Sequence, residues 1–115
     1  MTAYAIGLLT PQPPLHDEVF VYMERIQATM DPFGGRFITH GKTPEVHEGE
    51  FGGAVVILEF PDIDKARAWY DSPAYKEIIP LRADHIPSVI MLVDGVGADH
   101  DAAALAAGLR AAQRG

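Results

Sequence analysis

At 115 residues the chain has the length of one domain with a single core, and a composition of 48% hydrophobic and 22% charged residues excludes disorder. It contains no cysteine, which rules out a disulfide framework, a thiolate metal site and a thiol nucleophile, and fits a cytoplasmic location. A net charge of -7, with the Lys and Arg residues scattered, opposes nucleic-acid binding.

The opening stretch, "MTAYAIGLLTPQPP", has no basic leading region. Its apolar run ends at Thr10, too short for a signal core or a membrane span, so residues 3–10 read as a strand before a Pro-rich turn and no membrane partner is expected. From His16 to Met30, Val19, Tyr22, Met23, Ile26 and Met30 recur at spacings of three and four, with Asp17 and Glu18 at the positive end of the dipole. This is the first helix, and Pro32, Gly34 and Gly35 end it. "GRFITHG" (35–41) alternates as a second strand, with Arg36, Ile38 and His40 on one face. An acidic, Gly-bearing connection leads to "AVVILEF" (54–60), a strand apolar on both sides.

"EFPDIDKARAWYDSPAYKEIIPLR" (59–82) carries two helix starts. Asp62 caps a helix from about Ile63 to Tyr70; Ser72 and Pro73 open a second, which runs to about Ile79, where Pro80 interrupts it. "HIPSVIMLVDG" (85–95) is the fourth strand. The tail (96–115) is Ala-rich, with Asp99 or Asp101 as a cap and Leu105 and Leu109 four apart, and reads as a helix docked on the core or on a dimer mate, with a frayed tail as the alternative.

The order β, α, β, β, α, β predicts an α+β, ferredoxin-like antiparallel sheet with its helices on one face, spanning residues 1–95. Two helices cover only one face of four strands. Val55, Ile57, Val89 and Met91 are nevertheless apolar opposite Val56, Leu58, Ile90 and Leu92, so the second face demands a partner. A homodimer paired through its sheet faces supplies one.

The elements "GGRF", "EGEF" and "VVILEFPDIDKARAWYDSPAYKEIIPLR" resemble the signature of the small bacterial family catalogued as domain of unknown function 1330, over roughly residues 3 to 95. The resemblance implies membership of the dimeric α/β-barrel superfamily, whose relatives include cofactor-free monooxygenases, isomerases and some haem enzymes; the fold alone selects no chemistry. The chain departs from the family pattern at His40, Gly41, Lys42, Phe51 and Ala54. Two of these changes remove a guanidinium from the pocket region that the resemblance implies.

Arg36, His40 and Glu59 form the candidate catalytic set. A loop centred near Val46 and His47 places Glu59 opposite Arg36; His40 would serve as acid or base and Arg36 would steady a developing anion. The alternative is a cross-strand ion pair beside a surface histidine. Trp69, Tyr70, Tyr75 and Arg82 are the candidate ligand-binding residues, although Ile63, Ala66, Trp69 and Tyr70 also fill one helical stripe suited to core packing, and Arg82 can equally pair with Glu77 or Asp84. His40, His47, Glu48 and Glu59 lack metal-ligand spacing, and no phosphate loop or dinucleotide fingerprint is present, so neither a metal nor a cofactor is expected. The sequence thus points to a small-molecule-binding homodimer, with cofactor-independent monooxygenase- or isomerase-type chemistry at His40 as one reading and a non-catalytic ligand-binding or structural dimer as the other.

Overall fold

Strand β1 (Ala3–Leu9) alternates small with large side chains: Ala3, Ala5 and Gly7 are buried on one face, while Tyr4, Ile6 and Leu8 turn to the other and stay half-buried. In the computed structural model, which describes all 115 residues, this strand is central. With β2 (Arg36–Thr39), β3 (Ala54–Phe60) and β4 (Ser88–Asp94) it forms an antiparallel sheet of order β2-β3-β1-β4. Helices α1 (Asp17–Met30), α2 (Ile63–Asp71) and α3 (Pro73–Ala83) lie across the face that carries Ala5, Leu58 and Phe60. The fold is α+β and ferredoxin-like.

Local chemistry sets the helix ends. His16 caps α1, its Nδ1 accepting the Glu18 N–H at 3.1 Å. Asp62 accepts the Lys65 N–H at 2.8 Å, and Ser72 Oγ accepts the Tyr75 N–H while donating to the Trp69 carbonyl, so one serine closes α2 and opens α3. After α1 a 3-10 turn (Asp31–Phe33) ends at Gly34, whose φ of 72° is the left-handed conformation that turns the chain into β2.

Pro80 does not end α3, which continues to Ala83. A proline inside a helix removes one ladder bond and crowds the preceding turn. Tertiary packing outweighs that here: Tyr75, Ile78 and Arg82 form a stripe at helical spacing and are only 1%, 0% and 4% exposed. The continuation carries Arg82 into the protein. The core gathers Met30, Phe60, Trp69, Tyr75 and Ile78, each side chain contributing roughly 1.5–3 kcal/mol by burial.

The opposite face of the sheet is largely apolar and has no covering layer in the chain. Register places Met91, Ile6 and Ile57 in one row across its middle, with Val89, Leu8 and Val55 in the next. At its other end Tyr4, Glu59 and Arg36 make a polar margin.

Beyond the sheet, the tail folds into helix α4 (Ala102–Arg114), with Asp101 Oδ1 accepting the Ala103 N–H. The docking expected for it does not occur on this chain. Every residue of α4 is exposed, Leu105 by 52% and Leu109 by 60%, because the sheet's helical face is already filled by α1 to α3. The resulting shape is elongated, with a radius of gyration of 16.8 Å where a compact chain of this length has about 13 Å. No helix is long and apolar enough to cross a membrane.

Candidate functional site

The small side chains of β1 leave space above the sheet. A Cβ on Gly7 would sit 3.3 Å from Ile90 Cδ1 and 3.8 Å from Val56 Cβ, so the glycine keeps open a gap between β3 and β4. With Ala5 and Ala54 it floors a cavity of about 240 Å³ between sheet and helices, roofed by Val19, Tyr22 and Ile26 of α1 and bounded by Trp69, Tyr75 and Arg82. The walls are mainly apolar. Met23, 43% exposed, and His40 stand where the cavity meets solvent.

One end of this cavity is polar. The Tyr22 and Tyr75 hydroxyls share a hydrogen bond of 2.7 Å, and the Arg82 guanidinium carbon lies 5.3 Å from the centre of the Tyr22 ring. Burial pushes the Tyr75 hydroxyl pKa up, reinforced by the neighbouring Tyr22 oxygen, so Tyr75 stays a neutral phenol at physiological pH. Burial also disfavours the Arg82 cation, but the Tyr22 and Tyr75 oxygens outweigh that and hold its pKa above the ordinary value. Arg82 is charged, 4% exposed, and its Nε has no hydrogen-bond partner. Neither sequence neighbour neutralises it: Glu77 sits 3.4 Å from Arg25 instead, and Asp84 makes no ion pair.

The structure divides the expected catalytic set. Arg36 pairs with Glu59 across the strands as expected, Nε to Oε1 at 3.0 Å, but on the sheet face away from the cavity. His40 lies on the other side. Between Phe37 and Thr39 the pairing slips by one residue, and this irregularity reverses the alternation, bringing the His40 ring onto Phe37 with centroids 4.6 Å apart. Arg36, Glu59 and His40 therefore do not form one site.

Of the expected ligand-binding residues, Trp69, Tyr75 and Arg82 line the cavity and Tyr70 does not. Trp69 is also core: it is 1% exposed and its indole N–H donates to Thr29 Oγ1 at 3.0 Å. Tyr70 lies at the edge of the core, with Lys76 Nζ 4.4 Å from its ring centre. His47 pairs with Glu45 in the exposed connection, so His40, His47, Glu48 and Glu59 do not converge on a metal position.

A different trio does converge. Ligand atoms of His16, Glu18 and His85 lie within 4.8 Å of one another. Their arrangement serves as a clamp between α1 and the segment after α3: His85 Nε2 is 2.7 Å from Glu18 Oε1, and the two imidazoles stack at 3.8 Å with planes 10° apart. Parallel rings aim their in-plane lone pairs side by side, whereas a shared metal requires them to converge. The hydrogen bond with His85 lowers the Glu18 carboxyl pKa, opposed by desolvation and aided by the nearby His16 and His85 charges.

Tyr22 and the glycine-floored cavity escape sequence reasoning. Tyr22 reads as one more apolar position of α1, and nothing local shows that its hydroxyl meets Tyr75, 53 residues away. The available signal was in β1, where Ala5 and Gly7 put almost no side chain on the face that a helix must cover.

Comparison with known proteins places this geometry. The family model described as "Domain of unknown function (DUF1330)" matches residues 2–96. No curated protein matches the chain. Among solved structures, a protein of unknown function from Rhodopseudomonas palustris is 16% identical with a TM-score of 0.62, the match covering 84% of this chain and 83% of that one. A dimeric ferredoxin-like protein of unknown function from Thermobifida fusca is 17% identical with a TM-score of 0.56, over 83% of this chain and 92% of the other. SnoaB from Streptomyces nogalater, a cofactor-independent oxygenase, is 14% identical with a TM-score of 0.56, over 87% of this chain and 98% of that one. At these identities the likeness is one of fold.

Proposed function

The chain belongs to the DUF1330 family, and we propose that it acts as a homodimer, paired through its sheet faces, that binds a small organic molecule in the cavity between sheet and helices. The cavity carries this reading. A void of about 240 Å³ that is mainly apolar yet furnished with two hydroxyls and a cation has the make-up of a ligand site, at a size suited to a molecule of up to three rings. The apolar outer face supports pairing, and the T. fusca protein of the same fold is described as dimeric. A cytoplasmic location accords with the cysteine-free composition.

The finer reading is an enzyme that needs no cofactor, with His40 moving a proton at the cavity mouth and Tyr75, Trp69 and Arg82 contacting the substrate. Its support is the position of His40 on the cavity wall and the oxygenase activity of SnoaB on the same fold. Arg36 and Glu59 have no part in it. One observation favours the non-catalytic alternative: the His40 ring is stacked on Phe37 but no carboxylate orients it.

Titration with the neutral fluorophore N-phenyl-1-naphthylamine tests binding. Wild type should raise its emission, and Val56→Phe, which fills the space beside Gly7, should abolish the rise while the near-UV circular dichroism persists. A wild-type protein that leaves the probe dark sinks the cavity reading.

A further inference from the structure

A charged guanidinium that folding has removed from water normally meets a carboxylate, because an unpaired buried charge costs several kcal/mol. Arg82 is 4% exposed and meets none, and its Nε is without any partner. The helix bearing it pays a further penalty by running through Pro80 to place it there. Such an arrangement is retained where the missing counter-charge arrives from outside.

The groups around Arg82 specify what arrives. Its neighbours are two phenols, whose oxygens face the cation and whose two O–H groups can donate: their mutual bond of 2.7 Å consumes one, leaving the other free. No acidic side chain lines the cavity to repel an anion. The planar guanidinium fork matches a carboxylate in geometry as well as charge. The rest of the wall, including Val19, Ile26, Phe37 and Val56, offers only apolar contact.

We propose that the cavity selects a small organic acid, its carboxylate held by Arg82 and the Tyr22–Tyr75 hydroxyl pair and its apolar body lying over Ala5 and Gly7. This rests on the reading that the cavity binds a small molecule, and adds the chemical class. The overall charge of -7 repels anions at a distance, so selection depends on the local cation.

The test is displacement of N-phenyl-1-naphthylamine from the full-length protein by 3-phenylpropanoate and by its neutral amide, which differ in the charged group and little in shape. The acid should displace the probe at a concentration at least tenfold lower than the amide. Arg82→Met, which keeps an apolar stem and removes the charge, should bring the two within about twofold, and Tyr22→Phe should reduce the preference in part. Equal displacement by acid and amide in wild type overturns the proposal while leaving the cavity reading intact, and needs no variant to fold. Persistence of the acid preference in Arg82→Met also overturns it. Failure of the probe to bind wild type removes the cavity reading and the proposal together.

Discussion

Tyr22 on α1 and Tyr75 on α3 meet through their hydroxyl oxygens, 2.7 Å apart, with the rings edge-on, centroids separated by 6.2 Å and planes inclined at 62°. Two helices that both lie on the sheet, and that an Arg25–Glu77 ion pair also links at the surface, are thus joined by a polar contact inside an otherwise apolar layer. Removing either hydroxyl breaks the same bond. Tyr22→Phe and Tyr75→Phe should each cost about 1 kcal/mol, and the double variant should fall short of their sum by a coupling of about 1 kcal/mol. Denaturant midpoints of the four proteins measure this; strict additivity would mean that the bond contributes nothing to stability.

A second buried contact crosses from α2 to α1. Thr29 Oγ1 accepts the Trp69 indole N–H at 3.0 Å and donates to the Ile26 carbonyl at 2.7 Å. Thr29→Val keeps the shape but strands the indole N–H in a region that excludes water, at a cost of about 1–3 kcal/mol. Thr29→Ser retains the oxygen and should cost clearly less. Urea unfolding followed by the fluorescence of Trp69, the single tryptophan, separates the two; a Thr29→Val protein as stable as wild type would mean that the bond to the indole contributes nothing.

What was legible in the sequence follows from what is local. The Asp62 and Ser72 caps, the doubly apolar strands and the Arg36–Glu59 register are each written in a few adjacent residues or in strict alternation. The position of His40 was hidden by a single slipped residue after Phe37, since alternation carries no mark of where it fails. Pro80 misled for a related reason. Local propensity argues for a break, and only the tertiary burial of Ile78 and Arg82 overrides it. The cavity is a property of facing layers, visible only once the gap above Gly7 is set beside the α1 residues that span it.

The clamp at the start of α1 makes stability depend on pH. The folded Glu18 carboxyl pKa lies below its ordinary value of 4.5, chiefly through its hydrogen bond with His85. The folded state therefore holds this proton less tightly than the unfolded chain does. Its stabilising effect is complete above the unfolded pKa and is lost as pH falls through the lowered folded one. The melting temperature of wild type should exceed that of Glu18→Gln near neutral pH, by a small margin because the carboxylate is solvent-accessible, and the two should converge as pH drops below 4.5. A gap that is unchanged at acid pH would assign it to something other than this charge.

The homodimer proposed above depends on the outer face of the sheet, and one substitution there tests it. Ile57 lies in the middle row, directly opposite Ile6, which in turn faces Met91. Nearby Val89, Met91 and Val93 are 54%, 41% and 45% exposed in the single chain. In a sheet-to-sheet pair these side chains are covered, and a stable interface of this kind needs about 800 Å² from each partner. Two-fold symmetry repeats any substitution, so Ile57→Lys introduces two ammonium groups into one desolvated layer with no carboxylate nearer than the polar margin at Glu59. The free chain should tolerate the change, because a lysine at the surface of an unpaired sheet reaches water along its flexible stem. Sedimentation should therefore show wild type as a dimer at micromolar concentration and Ile57→Lys as a folded monomer, whereas a lysine on exposed α4, as in Leu105→Lys, should leave the dimer intact. A wild-type monomer, or an Ile57→Lys protein that remains dimeric, would exclude pairing through this face.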